Sequence, residues 1–245
     1  MTAMAGGWPD FSQRSPELER MDVETLDLAT MRAVLGDLAQ VNRLTGAASP
    51  TLAFLDRATR QLPAGAELRV AELGYGRGDL LRRIHGWAET RGFRPRLTGV
   101  DLNPLCRALA EELTPPEMAI DWHEGDLFDW QPDAPPHVIL SALFAHHLPD
   151  EAIVRLLAWQ TATASLGWFV NDLHRHWAAW AGYRALAWAA RWHPIVRQDG
   201  ALSVRRAFVA DDWRRLLAEA EVEGARIAWW PLFRLCVGWI RPGHG

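Results

Sequence analysis

Cysteine is scarce in this chain of 245 residues, with only Cys106 and Cys236 present. Their separation makes neither a metal knuckle nor a redox pair, and a disulfide-built fold is not expected. Long apolar runs are missing as well. No stretch reaches the ~18–20 residues that a membrane-spanning helix needs. The N-terminus lacks the basic start and apolar core of a secretory leader, so a cytoplasmic enzyme is the default expectation. An excess of positive charge is absent too. With 26 basic and 30 acidic residues the formal net charge is −4, so there is no global field to attract nucleic acid. Tryptophan, by contrast, is abundant, at 14 residues.

The most informative stretch is Leu68–Asp79. Leu68, Val70 and Leu73 read as a strand, Gly74, Gly76 and Gly78 as a turn, and Leu80, Leu81 and Ile84 as the face of a following helix. Strand, glycine turn and helix together present backbone N–H groups to a ligand, and a Cβ at those positions would obstruct it or forbid positive φ. The spacing is Gly-x-Gly-x-Gly, not the Gly-x-Gly-x-x-Gly of a dinucleotide site. Glu72 at the strand end is poorly placed for a phosphate and well placed for an ammonium group. A tight turn without a ligand is the bland alternative.

This Glu-x-Gly-x-Gly-x-Gly run resembles motif I of the class I S-adenosylmethionine-dependent methyltransferases. The resemblance implies an α/β fold: a Rossmann-like, doubly wound sheet of seven strands. It implies S-adenosylmethionine as cofactor, S-adenosylhomocysteine as product, and no metal. Tyr75 departs from the family pattern, where smaller residues or Cys are commoner, and its ring either crowds the cofactor or walls off the acceptor.

Downstream, Arg96–Val100 reads as a second strand ending in Asp101, 27 residues after Gly74. That is close to the distance at which a strand-end acid meets ribose hydroxyls in nucleotide folds. Leu102 then lies against the adenine, and Asn103-Pro104 opens a helix; a simple helix cap is the alternative for Asp101. A third strand spans Ala119–His123, and the resemblance places Asp126 at the adenine amino group, with the Leu127 N–H at a ring nitrogen. His137–Leu140 is a fourth strand that sets Ser141-Ala142 beside the glycine loop. The His146-His147-Leu-Pro-Asp stretch resembles one that follows strand four in many such enzymes. A neutral histidine here can take a phenol proton near pH 7. Helix punctuation is the competing reading. Strand five, Leu166–Leu173, ends in Asn171-Asp172, which makes Asp172 with His174 or His176 a second acid/base candidate.

Three further segments complete the organisation. Met1–Pro16 is Gly/Pro/Ser-rich and expected to be loose; a helix from Glu17 and another from Ser49-Pro50 follow it. Residues 1–62 are thus a flexible N-terminus and helical cap, and residues 63–245 the methyltransferase domain. Within that domain 174–208 is a lid-like insertion, in which Gln198-Asp199-Gly200 is read as a turn. The insertion carries Trp177, Trp180, Tyr183, Trp188 and Trp192 on a helical pattern. Trp177, Trp180 and His174 are the candidate acceptor-binding residues, on the reading that the indoles form a pocket for a flat apolar molecule; core packing is the alternative. Asp211/Asp212 opens a last helix, and a closing hairpin turns around Pro231.

The Asp199-Gly-x-Leu-Ser-x-Arg-Arg-Ala-Phe208 stretch, with the helical N-terminal quarter, resembles a subgroup of bacterial methyltransferases that act on phenols or quinones, including polyketide-derived ones. The expected reaction is O-methylation of a small apolar, aromatic acceptor by a monomer or homodimer. C- or N-methylation of a quinone or polyketide-type ring, and a non-catalytic cofactor-binding role, are the alternatives. The Asn/Asp-Pro-Pro-Tyr/Phe motif of the amino-methylating nucleic-acid enzymes is absent.

Overall fold

The computed structural model describes residues 8–243. Three helices come first: α1 Arg20–Val23, α2 Leu28–Leu44 and α3 Ser49–Ala58. The sheet then begins with β1 Glu67–Leu73, α4 Asp79–Thr90, β2 Arg94–Asp101, α5 Pro104–Leu113 and β3 Ile120–Glu124. It continues through β4 Val138–Ala142, α6 Asp150–Thr163, β5 Gly167–Leu173, α7 Trp177–Ala189, α8 Pro194–Arg206 and α9 Ala210–Glu219. The hairpin β6 Arg226–Trp230 and β7 Arg234–Ile240 closes it.

The strand order is β3-β2-β1-β4-β5-β7-β6, with β7 antiparallel to both its neighbours and the other pairings parallel. This is the doubly wound seven-stranded sheet expected from motif I. The order in which strands are added reverses between β1 and β4, where Leu73 lies beside Ser141. Open α/β sheets bind ligands at such a switch point, outside the carboxyl ends of the strands.

Both faces of the sheet are covered, so its central strands are apolar on both sides. In β1, Leu68 and Val70 join one core with Phe54, Leu81, Ile84 and Phe169. Ala71 and Leu73 join the other with Ile139, Trp168, Phe208 and Trp213. A third, smaller core packs Val34 of α2 on Ala187, Trp192, Ile195 and Val196, which ties α2 to the α7–α8 segment.

Several expectations need correction. The first helix is not continuous from Glu17: α1 stops at Val23, and Asp27 caps a new helix by accepting from the Thr30 N–H at 2.7 Å. Gln198-Asp-Gly200 is no turn but the middle of α8. Gly200 serves packing there, since a Cβ would lie 2.1 Å from the Tyr183 ring. The Trp-rich helix ends at Ala189, and Arg191, at φ 55°, turns the chain into α8. Of the stretch expected to be loose, residues 1–7 lie outside the described residues. The rest is strapped to the domain: Ser15 N–H donates to Arg205 O at 3.0 Å, Phe11 O accepts from the Arg175 guanidinium at 2.9 Å, and Arg14 pairs with Asp150 and donates to Leu148 O at 2.9 Å.

Candidate active site

The glycine turn closes β1 with three left-handed residues, Gly74, Gly76 and Gly78, at φ 71°, 56° and 78°. A Cβ at Gly74 would strike the Phe144 ring at 2.4 Å, whereas at Gly76 the nearest atom is 4.0 Å away. Gly76 thus faces open space, where a ligand can approach the backbone closely. Its N–H donates to Asp101 Oδ2 at 2.9 Å, and Asp101 Oδ1 accepts from the Asn103 N–H at 3.0 Å. The acid at the end of β2 therefore sets the loop and starts α5 at once. Burial raises the Asp101 pKa against these hydrogen bonds.

Glu72 is buried, and its Oε2 has no hydrogen-bond partner among the described residues. Burial, followed by the nearby charges of Asp101 and Asp79, drives its pKa well above the ordinary 4.5. A buried carboxylate oxygen without a partner is costly, so this oxygen marks a place where a cation or donor is wanted.

In front of the loop lies a cavity of about 1330 Å³. Of the expected cofactor residues, Glu72, Gly74, Tyr75, Gly76, Asp101, Leu102, Asp126, Leu127 and Ala142 line it. Gly78 and Ser141 do not; Gly78 packs on Trp122 and starts α4, and Ser141 is buried in β4. The ring of Tyr75 lies against Trp122, centroids 4.8 Å apart, over Gly99. Its bulk is thus housed in the wall. Asp126 Oδ1 accepts from the Phe128 N–H at 2.9 Å.

The other half of the cavity is apolar, walled by Val34, Leu38 and Val41 of α2 and by Ala178, Ala179, Gly182, Tyr183 and Leu186 of α7. Trp177, Trp180 and His174 are not on its lining. Helix geometry explains this: α7 turns its small residues inward, leaving Trp177 outside and Trp180 against Trp8 and Phe11.

Between the two halves sits a 3₁₀ turn, Ala145–His147. His146 is buried, with Nδ1 2.7 Å from Asp172 Oδ1 and its backbone N–H on Asp172 Oδ2 at 3.1 Å. Asp172 therefore belongs to His146, and not to His174 or to His176, which caps α7. Burial works against the Asp172 charge, but the charge of His146 and three hydrogen bonds, from the His146 imidazole and from the His146 and Leu173 N–H groups, outweigh it and hold the pKa below 3.8. The imidazole of His147, half-buried, has Nδ1 2.8 Å from Asp22 Oδ2.

Both Nε2 atoms turn toward Glu19, at 3.6 Å from His146 and 3.9 Å from His147. Glu19 is buried, and burial pushes its pKa up to about 7. These three residues hold their donor atoms within 4.8 Å of one another, a set a divalent cation can use. Here the Ser203 hydroxyl donates to Glu19 Oε1 at 2.8 Å, and Arg206 Nε lies 3.9 Å from it. Arg206 also donates to His146 O and His147 O, at 3.0 and 2.8 Å, fixing the turn from behind.

Glu19 and Asp22 were invisible to sequence reasoning, and Ser203 and Arg206 stood in the Asp199–Phe208 stretch without an assigned role. Glu19 is separated from His146 by more than a hundred positions, and neither pattern nor spacing connects them. The one available hint was the pair of arginines, Arg205-Arg206, in an otherwise apolar segment.

No family model matches the chain, and no curated protein matches it in sequence. Solved structures do match in fold. A plantazolicin methyltransferase in complex with a triazolic desmethyl analogue and S-adenosylhomocysteine superposes with a TM-score of 0.62 at 13% identity, over 87% of this chain and 95% of that one. A putative O-methyltransferase from Nostoc punctiforme gives 0.59 at 11% identity, over 85% and 60%. Human N-acetylserotonin methyltransferase in complex with S-adenosylmethionine gives 0.56 at 18% identity, over 86% and 54%. The fold of this chain is that of the class I S-adenosylmethionine-dependent methyltransferases.

Proposed function

We propose that this chain is an S-adenosylmethionine-dependent methyltransferase acting on a small, apolar, aromatic acceptor, with O-methylation of a phenol or hydroxyl as its reaction. The observation that carries the reading is the buried Glu72 carboxylate beside the left-handed glycine loop, with its Oε2 lacking a hydrogen-bond partner among the described residues. The α-amino group of S-adenosylmethionine is a cation of the kind that would complete it. Asp101 keeps lone pairs beyond those given to Gly76 and Asn103, and these can accept from ribose hydroxyls. Leu102 and Leu127 offer apolar contact to an adenine, and Asp126 an acceptor for its amino group.

When bound, the cofactor supplies an electrophilic methyl group on a sulfonium. The work left to the chain is alignment and exclusion of water. In this reading the helices of residues 1–62 cap the cavity and residues 174–208 form its lid, with α2 and α7 holding the acceptor's apolar body. His146 and His147 lie where the two halves meet, and we assign them, with Asp172, to the acceptor's proton. Asp172 keeps a proton on His146 Nδ1, which leaves Nε2 as the receiving atom. Glu19, with its pKa near neutrality, is the neighbour that can share the proton.

Transfer to carbon or nitrogen of a quinone or polyketide-type ring is the second reading. A C-methylation of an electron-rich ring needs less from a base than a phenol does. The deciding experiment incubates the protein with methyl-labelled S-adenosylmethionine and a panel of phenols. A labelled methyl ether supports O-methylation. A C- or N-methyl product supports the second reading. Cofactor binding without transfer to any acceptor would leave only a binding protein.

A further inference from the structure

Helix α7 has two unlike sides. Ala179, Gly182 and Leu186 lie on the side that lines the cavity. At 100° per residue, Trp177, Ala181, Arg184 and Trp188 fall on the opposite stripe, and Arg191 follows in the left-handed turn after the helix. Trp188 is 71% and Trp177 55% exposed, and Arg184 and Arg191 are exposed beside them. Of the whole helix only Ala187 is buried. A helix this apolar, with so little of it packed, is unusual on a water-facing surface.

Charge adds a second, independent feature. The chain carries a net −4, yet from Leu173 to Gln198 there is no Asp or Glu at all. The flanking acids, Asp172 and Asp199, are both buried. Three arginines of the segment, Arg184, Arg191 and Arg197, are exposed. The Arg184 guanidinium lies 4.4 Å over the Trp180 ring, which holds the cation along the helix face. Tryptophan with arginine and no carboxylate is the combination suited to the interface of an anionic bilayer: indoles settle at headgroup depth and cations meet lipid phosphates.

The cavity itself reaches the surface on the Leu186 side of the helix. Leu186 both lines the cavity and is 38% exposed. Leu232, at the tip of the β6–β7 hairpin, lines it too and is 57% exposed. Phe233, next in sequence, stacks on His176 just before α7. The rim is therefore apolar where it meets the helix.

We infer that α7 docks on the surface of an anionic membrane, lying in the headgroup plane with Trp177, Trp188, Arg184 and Arg191 toward the lipid. In that orientation α7 is a wall one helix thick between the lipid and the site. This surface binding is separate from the methyl-transfer reading and stands or falls independently of it.

The test is co-sedimentation of the full chain with vesicles of phosphatidylcholine alone and of phosphatidylcholine mixed with phosphatidylglycerol. Binding to the anionic vesicles is expected, weakening as salt is added. Each neutralised arginine should lower the partition constant about fivefold, so Arg184→Gln with Arg191→Gln should lower it roughly 25-fold. Trp188→Ser should also weaken it. None of the three residues lines the cavity, so the far-ultraviolet circular dichroism measured in parallel should be unchanged and reports folding. No binding of the wild-type chain to either vesicle, or binding that ignores these substitutions, would overturn the proposal. Self-association in sedimentation velocity that Trp188→Ser abolishes would overturn it as well, because a second copy would then be what covers the helix.

Discussion

Asp172 grips His146 twice, through the imidazole Nδ1 at 2.7 Å and through the backbone N–H at 3.1 Å. One carboxylate, at the end of β5, thereby fixes both the tautomer of the histidine and the path of the 3₁₀ turn that carries it. If this pair handles the acceptor's proton, Asp172→Asn should cut the methyl-transfer rate by ~10²–10⁴ while the affinity for S-adenosylhomocysteine holds. Steady-state rates with any accepted phenol, alongside calorimetry, check this. A rate near wild type would assign the pair to structure alone.

Glu19 supplies a pH dependence of stability. Its folded pKa is raised, from 4.5 to about 7, so the folded state favours the protonated acid. Its contribution is complete below the unfolded value and is lost as pH rises through about 7. Asp172 works the other way: its lowered pKa contributes stability above the unfolded value, lost only in acid. Between pH 4.5 and 7, Tm should therefore fall with rising pH on account of Glu19, and Glu19→Gln should flatten that slope. Melting curves across this window decide it; an identical slope in the variant would contradict it.

Asp101 carries a combined role that affinity and stability measurements can separate. Losing a carboxylate that holds Gly76 and Asn103, and is expected to hold a ribose, should cost roughly 1.5–3 kcal/mol of cofactor binding, more than tenfold in Kd. Asp101→Ala should also lower Tm modestly, because the hydrogen bonds that hold Gly76 and Asn103 go with it. A lower Tm at unchanged Kd would confine Asp101 to the loop.

Gly200 tests the packing of α7 on α8. Gly200→Val places methyl groups where the Tyr183 ring already lies, and overpacking of this kind costs about 1–3 kcal/mol. Denaturant unfolding should show the loss. Full stability would mean that the Tyr183 ring moves freely.

Gly200 also shows where sequence reasoning stops. Gln-Asp-Gly is locally a turn signal, and only the ring of Tyr183, seventeen positions earlier, explains a glycine inside a helix. By contrast, motif I, the Asn103 cap and the strand ends at Asp101 and Asp172 were legible, because turn chemistry and strand periodicity act within a few residues. The cofactor half of the site was readable for the same reason: its residues sit at strand ends, whose place in the sheet follows from the topology. The acid/base half was readable only in part. His146 and Asp172 could be named separately, but their pairing, and the arrival of Glu19 and Asp22 from the N-terminal segment, depend on tertiary structure. The tryptophans were misplaced because helical periodicity says which residues share a face and not which face meets the cavity.

The central claim rests on Glu72, and one measurement reaches it directly: isothermal calorimetry of S-adenosylhomocysteine with the wild-type chain and Glu72→Gln, with melting temperatures of both in the absence of ligand. Removing a buried charge with one unpartnered oxygen should leave Tm unchanged or raise it, since the folded state no longer buries the carboxylate. Removing the partner of the ligand's ammonium group should weaken binding at least tenfold, about 1.4 kcal/mol. Tight binding by the wild type with that loss in the variant is the predicted result. No heat of binding from the wild type, or equal affinity in both, would contradict the account.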